Sequence, residues 1–301
     1  MACFIGKQAQ SYLETNLPHR SGEKIGGKLN RDVIIANLSD THSGGLTALF
    51  PDYPMSFVYD NKNVLNYSPS LEQKEIYNHW LKCADTLKEM SKKKRKIIVM
   101  NGDAIEGNHH GTIQLVTPRP DHQMQIFNEL FETFLTRSGY SIKNGDELYI
   151  GQGTETHTSW MEHDIKEYFN PYNAQYFDEL KLNINGKNLW WAHHGAQPGK
   201  GTNEGNALRN YARDTYWDCI KQHETPPDMM TFSHFHKASY DSYNNSYDHT
   251  LHIQVLPSWQ MKTRHGYKVA SMQRNDIGMQ FTEVRSDGQL NIQKPFLLTP
   301  E

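Results

Sequence analysis

The chain has 301 residues, with 31 Lys+Arg against 34 Asp+Glu and a formal charge of −3. That balance excludes attachment to nucleic acid by bulk charge alone, and an aromatic content of 11% argues against disorder. No run approaches the ~18 apolar residues of a membrane span, and three scattered cysteines (Cys3, Cys83, Cys219) without a Cys-x-x-Cys exclude a disulfide scaffold.

Residues 1–31 are polar and rich in Gly and Lys, without the continuous apolar core of a secretory signal, and read as an irregular arm. A cytoplasmic, reducing setting is expected. Residues 32–301 are expected to form one domain. Asp32 to Leu38 is a short apolar run that predicts a buried strand. A long loop follows, broken by Gly44, Gly45, Pro51, Pro54 and Pro69. Ile76, Trp80, Ala84 and Leu87 predict a helix over 71–90, with the basic run 92–96 as its solvated end. Ile97 to Met100 is a second buried strand. Residues 122–136 read as a helix capped by Asp121, and Leu148 to Ile150 as a third strand. Strand–helix–strand–helix–strand over 32–150 predicts an α/β architecture with parallel pairing.

Residues 160–169 are expected to be helical. Leu180 to His193 reads as two strands about an Asn185-Gly186 turn. Residues 203–222 predict a helix with Leu208, Tyr211, Ala212, Cys219 and Ile220 inward. Met229 to Ser233 is another strand, and 237–299 alternates as strands with turns at Asn244-Asn245 and Asp287-Gly288.

Histidine is the unusual count: 16, about one residue in nineteen. Half-protonation near pH ~6.5 would carry the charge from −3 to about +5. Metal ligation holds imidazoles neutral and removes that swing. The histidines also cluster where strands end: Ser39-Asp40-Thr41-His42, Asn101-Gly102-Asp103, Gly153-Thr154-Glu155-Thr156-His157, His193-His194-Gly195 and Ser233-His234-Phe235-His236. The carboxyl ends of strands in an open α/β sheet are where ligands bind. Asp-x-His and His-x-His place both side chains on one side of an extended segment. Mixed imidazole and carboxylate donors suit Zn, Mn or Fe, and a carboxylate such as Asp103 can bridge two ions.

This ordered set resembles the calcineurin-like metallophosphoesterases, whose pattern runs Asp-x-His, Gly-Asp, Gly-Asn-His-Asp/Glu, His-Gly, Gly-His-x-His. The likeness covers residues 33–236. It implies a four-layer α/β/β/α sandwich with two divalent ions of the Mn, Zn, Fe or Mg/Ni class. It further implies that Asp40, His42 and His236 hold the first ion, that His194 and His234 hold the second, and that Asp103 bridges both. His193 is the alternate to His194, which directly precedes Gly195. The third motif departs from the pattern. Gly107-Asn108-His109 lies too soon after Asp103 to leave room for a crossover. The positional equivalent is GTETH, similar to a variant in phage-encoded relatives, whose setting would be the host cytoplasm. Glu155 then stands as an oxygen ligand and His157 as the catalytic residue, with a ligand role for His157 open. Glu106, His109 and His110 are pocket candidates, and Arg209, with Arg213 one turn on, is placed to reach a phosphate.

The activity implied is phosphoester hydrolysis by a metal-bound hydroxide, with His157 as general acid. A phosphodiesterase or nuclease leads; a phosphomonoesterase or protein phosphatase, and a scaffold on the same fold, are the alternatives. The substrate classes are a nucleic-acid strand, a cyclic nucleotide or dinucleotide, and a phosphoprotein. The 16 Tyr, 12 Phe and 6 Trp offer stacking surfaces for bases.

Overall fold

The computed structural model describes residues 31–108, 114–155, 161–199, 201–245, 249–269 and 275–299. The first apolar run forms β1 (Val33–Leu38), buried at every position. Next comes a hairpin of β2 (Met55–Val58) and β3 (Val64–Tyr67) inside what the sequence presents as a loop. Met55 and Phe57 alternate inward there, a period too short to stand out among the breakers. Helix α1 (Leu71–Met90) opens on a capping box, Ser70 and Gln73 each bonding the other's backbone N–H. It ends before the basic run. Lys92 to Lys94 make a turn, while Arg95 and Lys96 start β4 (Arg95–Asn101). Lys96 is buried, with Nζ 3.2 Å from Asp146 Oδ2, so it is not part of a solvated helix end.

Helix α2 (Pro120–Arg137) starts two residues earlier than its apolar stripe suggests, and Asp121 is not its cap. Arg119 holds the N-cap position without a side-chain cap bond, and Pro120, with its preset φ, starts the helix. Then come β5 (Glu147–Gly151), α3 (Met161–Tyr168), β6 (Ala174–Phe177), β7 (Glu179–Ile184) and β8 (Lys187–Ala192). Helix α4 (Asn206–Lys221) buries Leu208, Ala212 and Cys219 but exposes Tyr211 and Ile220, contrary to expectation. The remaining elements are β9 (Met229–Phe232), β10 (Ser239–Asn244), β11 (Thr250–Val255), α5 (Arg264–Val269), β12 (Gly278–Val284), β13 (Leu290–Ile292) and β14 (Phe296–Leu297).

One sheet runs β13-β12-β1-β4-β5-β6 with β14 on β12; the other runs β10-β11-β9-β8-β7. Strands β1, β4, β5 and β6 are parallel neighbours, as are β8, β9 and β11. Alternation along the strands divides the core. Ile34, Ala36, Leu38, Ile98, Met100 and Ile150 pack against Trp80, Phe127, Phe131 and Phe134 of α1 and α2. Val33, Ile35, Ile97 and Val99 face the second sheet through Leu180, Leu189, Trp191 and Met229. The outer face of that sheet packs on Leu208 and Ala212 of α4 through Met230, Phe232, Leu251 and Ile253. The layers are therefore helix, sheet, sheet, helix, the four-layer α/β/β/α order expected. Strands buried on both faces follow from that arrangement.

The two sheets meet at the carboxyl ends of their parallel strands. Asn101 Nδ2, at the end of β4, donates to Ala192 O at 2.9 Å and to Ser233 Oγ at 2.8 Å. Ser233 N donates to His193 O at 3.0 Å. These bonds bring the polar tails of β4, β8 and β9 into one place.

Candidate metal centre

The tails of β1 and β4 are joined by backbone bonds. Asp40 N donates to Gly102 O, His42 N to Asp103 O and Ser43 N to Ala104 O, each at 3.0 Å. Trp259 N donates to Asp40 O at 2.9 Å, and Asp276 N to His236 O at 2.9 Å. The backbone between these bonds is unusual. Asp40 (φ 52°), His42 (φ 44°), Asp103 (φ 50°), His234 (φ 73°) and His236 (φ 53°) are all left-handed. The Asp-x-His and His-x-His pairs are thus not extended; each residue is turned inward by its own positive φ. Such non-glycine conformations cost about 1–3 kcal/mol each and persist where the surroundings hold them.

The side chains of these residues converge. Asp40, His42 and His236 form one group, His193, His194 and His234 another, and Asp40, Asp103 and His193 a third, with the donor atoms of each group within 4.8 Å of one another. Asp40, His42 and Asp103 are buried. His42 Nδ1 lies 3.0 Å from Glu106 Oε2, which also accepts from Gln260 Nε2 at 2.5 Å. An ionised carboxylate only accepts, so Nδ1 carries a proton and Nε2 is the nitrogen left to face the centre. His193 repeats the device, with Nδ1 2.7 Å from the Asn101 carbonyl and Nε2 3.1 Å from Asp103 Oδ2. An imidazole held this way by its other nitrogen is the usual arrangement of a metal-ligating histidine.

The donor spacing fits a shared cation. Ligand bonds of ~2.1 Å put neighbouring donors about 3.0 Å apart in an octahedron and about 3.4 Å in a tetrahedron. His42 Nε2 to His236 Nε2 is 3.0 Å, His236 Nε2 to Asp40 Oδ1 is 3.3 Å, and His193 Nε2 to Asp103 Oδ2 is 3.1 Å. Asp40 Oδ1 is buried and accepts no well-formed hydrogen bond among the described residues. Two imidazole nitrogens at 3.0 Å beside a buried carboxylate oxygen are the surroundings a divalent ion satisfies.

Electrostatics keep the carboxylates ionised. Burial works to raise the Asp40 and Asp103 pKa values, but the histidines around them hold both well below the usual carboxylate range. Burial likewise works against a charged His42 and His193. The Glu106 charge nevertheless raises His42 well above an ordinary imidazole, and the Asp103 charge raises His193 to about 9. His194 is lowered, first by burial and then by the charges of His193 and His234. In the metal-free chain a raised histidine stabilises the fold below its unfolded pKa, an effect lost as pH climbs through about 9 for His193. A cation must displace those protons. Metal affinity is therefore expected to rise from pH 7 to pH 9, with net proton release at pH 7. Calorimetric titration in buffers of different ionisation enthalpy checks this, and pH-independent affinity without proton release would contradict it.

Asp40, His42, Asp103, His194, His234 and His236 are all brought together, and His193 joins them as the more buried of its pair. Glu155 is not: it is exposed and belongs to none of the converging groups. Its neighbour Thr154 turns inward instead, with N donating to Asp103 Oδ1 at 2.6 Å. Arg209, expected to reach a phosphate, has its guanidinium held bidentately by Asp241, and Arg213 is held by Asp214. His109, His110 and His157 lie outside the described residues. Glu106, expected only as a pocket residue, orients His42. Asn275 Nδ2, 3.0 Å from His236 Nδ1, is a neighbour that no motif announces.

No protein-family model matches the sequence, and no curated protein does. Solved structures similar to it include the NAD nucleotidase NadN of Haemophilus influenzae, with 9% identity, 88% of this chain covered and a TM-score of 0.39. This chain spans about half of that one, 49% of its length. An archaeal phosphodiesterase is similar at 8% identity over 88% of this chain and 99% of its own, TM-score 0.39. A Streptococcus pneumoniae protein described as a predicted phosphoesterase is similar at 11% identity over 89% of this chain and 98% of its own, TM-score 0.33. Similarity of this degree assigns no activity. Among the described residues, no helix is long and apolar enough to cross a membrane.

Proposed function

We propose that this chain is a metal-dependent phosphoester hydrolase of the calcineurin-like metallophosphoesterase kind, acting on phosphodiesters. The observation that carries the reading is the paired donor set. Asp40, His42 and His236 form one group of close donors and His193, His194 and His234 another, with Asp103 beside His193 and spacings that suit shared cations. Asp103 would serve both sites. Its Oδ2 is 3.1 Å from His193 Nε2 and 3.9 Å from His42 Nε2, and its carboxylate stays ionised although buried. Two divalent cations held there would supply Lewis acidity toward water and the phosphoryl oxygens.

The protein's own groups supply the rest. Glu106 and the Asn101 carbonyl fix the imidazoles of His42 and His193 so that Nε2 faces inward. His194, exposed and with its pKa lowered by burial and by the charges of His193 and His234, is neutral at pH 7. His157 is proposed on its motif as the group that hands a proton to the departing oxygen. Cyclic nucleotides, dinucleotides and nucleic-acid strands are the diesters we propose.

Hydrolysis of bis(p-nitrophenyl) phosphate tests the reading. Protein stripped with chelator should be inactive and should release p-nitrophenolate once Mn²⁺ is restored. Protein that binds Mn²⁺ and hydrolyses neither this diester nor p-nitrophenyl phosphate would contradict it.

A further inference from the structure

The hydroxyl of Thr154 occupies a position that the proposed hydrolase has so far left unused. Thr154 Oγ1 lies 3.2 Å from Asp103 Oδ2, 3.3 Å from His193 Nε2, 3.2 Å from His194 Nε2 and 3.3 Å from His234 Nδ1. A hydroxyl has one proton to donate. With two lone pairs to accept as well, it can still pair with no more than three of these four atoms, yet it stands nearly equidistant from all of them. Each separation also falls between the donor spacings of octahedral and tetrahedral coordination, about 3.0 and 3.4 Å for ~2.1 Å ligand bonds.

We infer that Thr154 Oγ1 is the oxygen donor that completes the histidine-rich cation site formed by Asp103, His193, His194 and His234. The inference rests on the hydrolase reading for the existence of that site. It assigns to Thr154 the place that the family resemblance gave to Glu155, which is exposed and outside the converging groups. The backbone supports the assignment. Thr154 N is tied to Asp103 Oδ1 at 2.6 Å, so the threonine and the shared carboxylate move together. Gly153 before it lets that backbone approach: a Cβ there would lie 2.3 Å from Asp103 N. A neutral hydroxyl adds no charge beside three imidazoles and one carboxylate. That makes this site poorer in anionic donors than the Asp40 site, and the site expected to lose its ion first.

The test compares wild-type protein with Thr154→Val, Thr154→Ser and Glu155→Gln, each stripped of metal and titrated with Mn²⁺. Bound ions are counted by native mass spectrometry and read by EPR. Thr154→Val keeps the shape and removes the oxygen; its second Mn²⁺ should bind about 10–100-fold more weakly. Its EPR spectrum at two equivalents should be that of an isolated ion rather than a coupled pair. Thr154→Ser should restore both readings, and equal melting temperatures of the metal-free proteins would place the defect in the site. Wild-type affinity and a coupled spectrum in Thr154→Val would overturn the inference, as would a loss confined to Glu155→Gln. Wild-type protein that takes up no Mn²⁺ would instead overturn the hydrolase reading, so the two failures are distinguishable.

Discussion

Asp103→Asn is expected to lower metal-dependent diester hydrolysis by at least about 10²–10³-fold, the order that follows loss of one oriented charge-stabilising group. The reasoning is local. Asp103 is buried, accepts from Thr154 N at 2.6 Å and faces His193 Nε2 at 3.1 Å with its other oxygen. An amide of the same shape keeps the packing but removes the negative charge between the two proposed cation sites. It also turns an N–H₂ toward groups that need an acceptor. Far-UV circular dichroism should be unchanged, because no apolar contact is lost. A variant that turns over diesters at the wild-type rate would remove Asp103 from the centre.

Gly153→Ala should damage the site nearly as much without replacing a ligand. The added Cβ would lie 2.3 Å from Asp103 N and from Asp103 Oδ1, and 2.8 Å from Glu162 Oε1. Nothing at that range can be accommodated without movement, and the backbone of Asp103 is among the atoms displaced. Misplacement of a catalytic group by about 1 Å costs on the order of 10²-fold in rate. The expected result is a loss of that size together with weaker metal binding. Full activity with full metal content would mean that the strand-end loops yield more easily than their hydrogen bonds suggest.

Much of this architecture is legible in the residues. Apolar runs at Val33–Leu38 and Ile97–Met100 mark strands buried on both faces, because a two-sided core requires apolar residues at every position. Strand-end placement also identifies Asp40, His42, Asp103, His234 and His236 as residues that meet. What spacing cannot decide is which of two neighbours turns inward. His193 and His194 both reach the site, but only the fold makes His193 the buried one, through its bond to the Asn101 carbonyl. Thr154 and Glu155 are separated in the same way. Chain periodicity also assumes regular backbone, whereas Asp40, His42, Asp103, His234 and His236 carry positive φ angles that redirect their side chains. The misread cap at Asp121 has a related origin: Pro120 starts the helix by its own geometry, and a side-chain cap is dispensable. The β2–β3 hairpin was hidden because its strands are short and half exposed.

The central claim is that this chain holds two cations around Asp103. The direct measurement is a count of divalent ions per chain by native mass spectrometry, after chelation and reloading with Mn²⁺ or Zn²⁺. The account predicts two ions in the wild-type protein and fewer than two in Asp103→Asn. A wild-type chain that is folded and saturates at one ion, or at none, would contradict it.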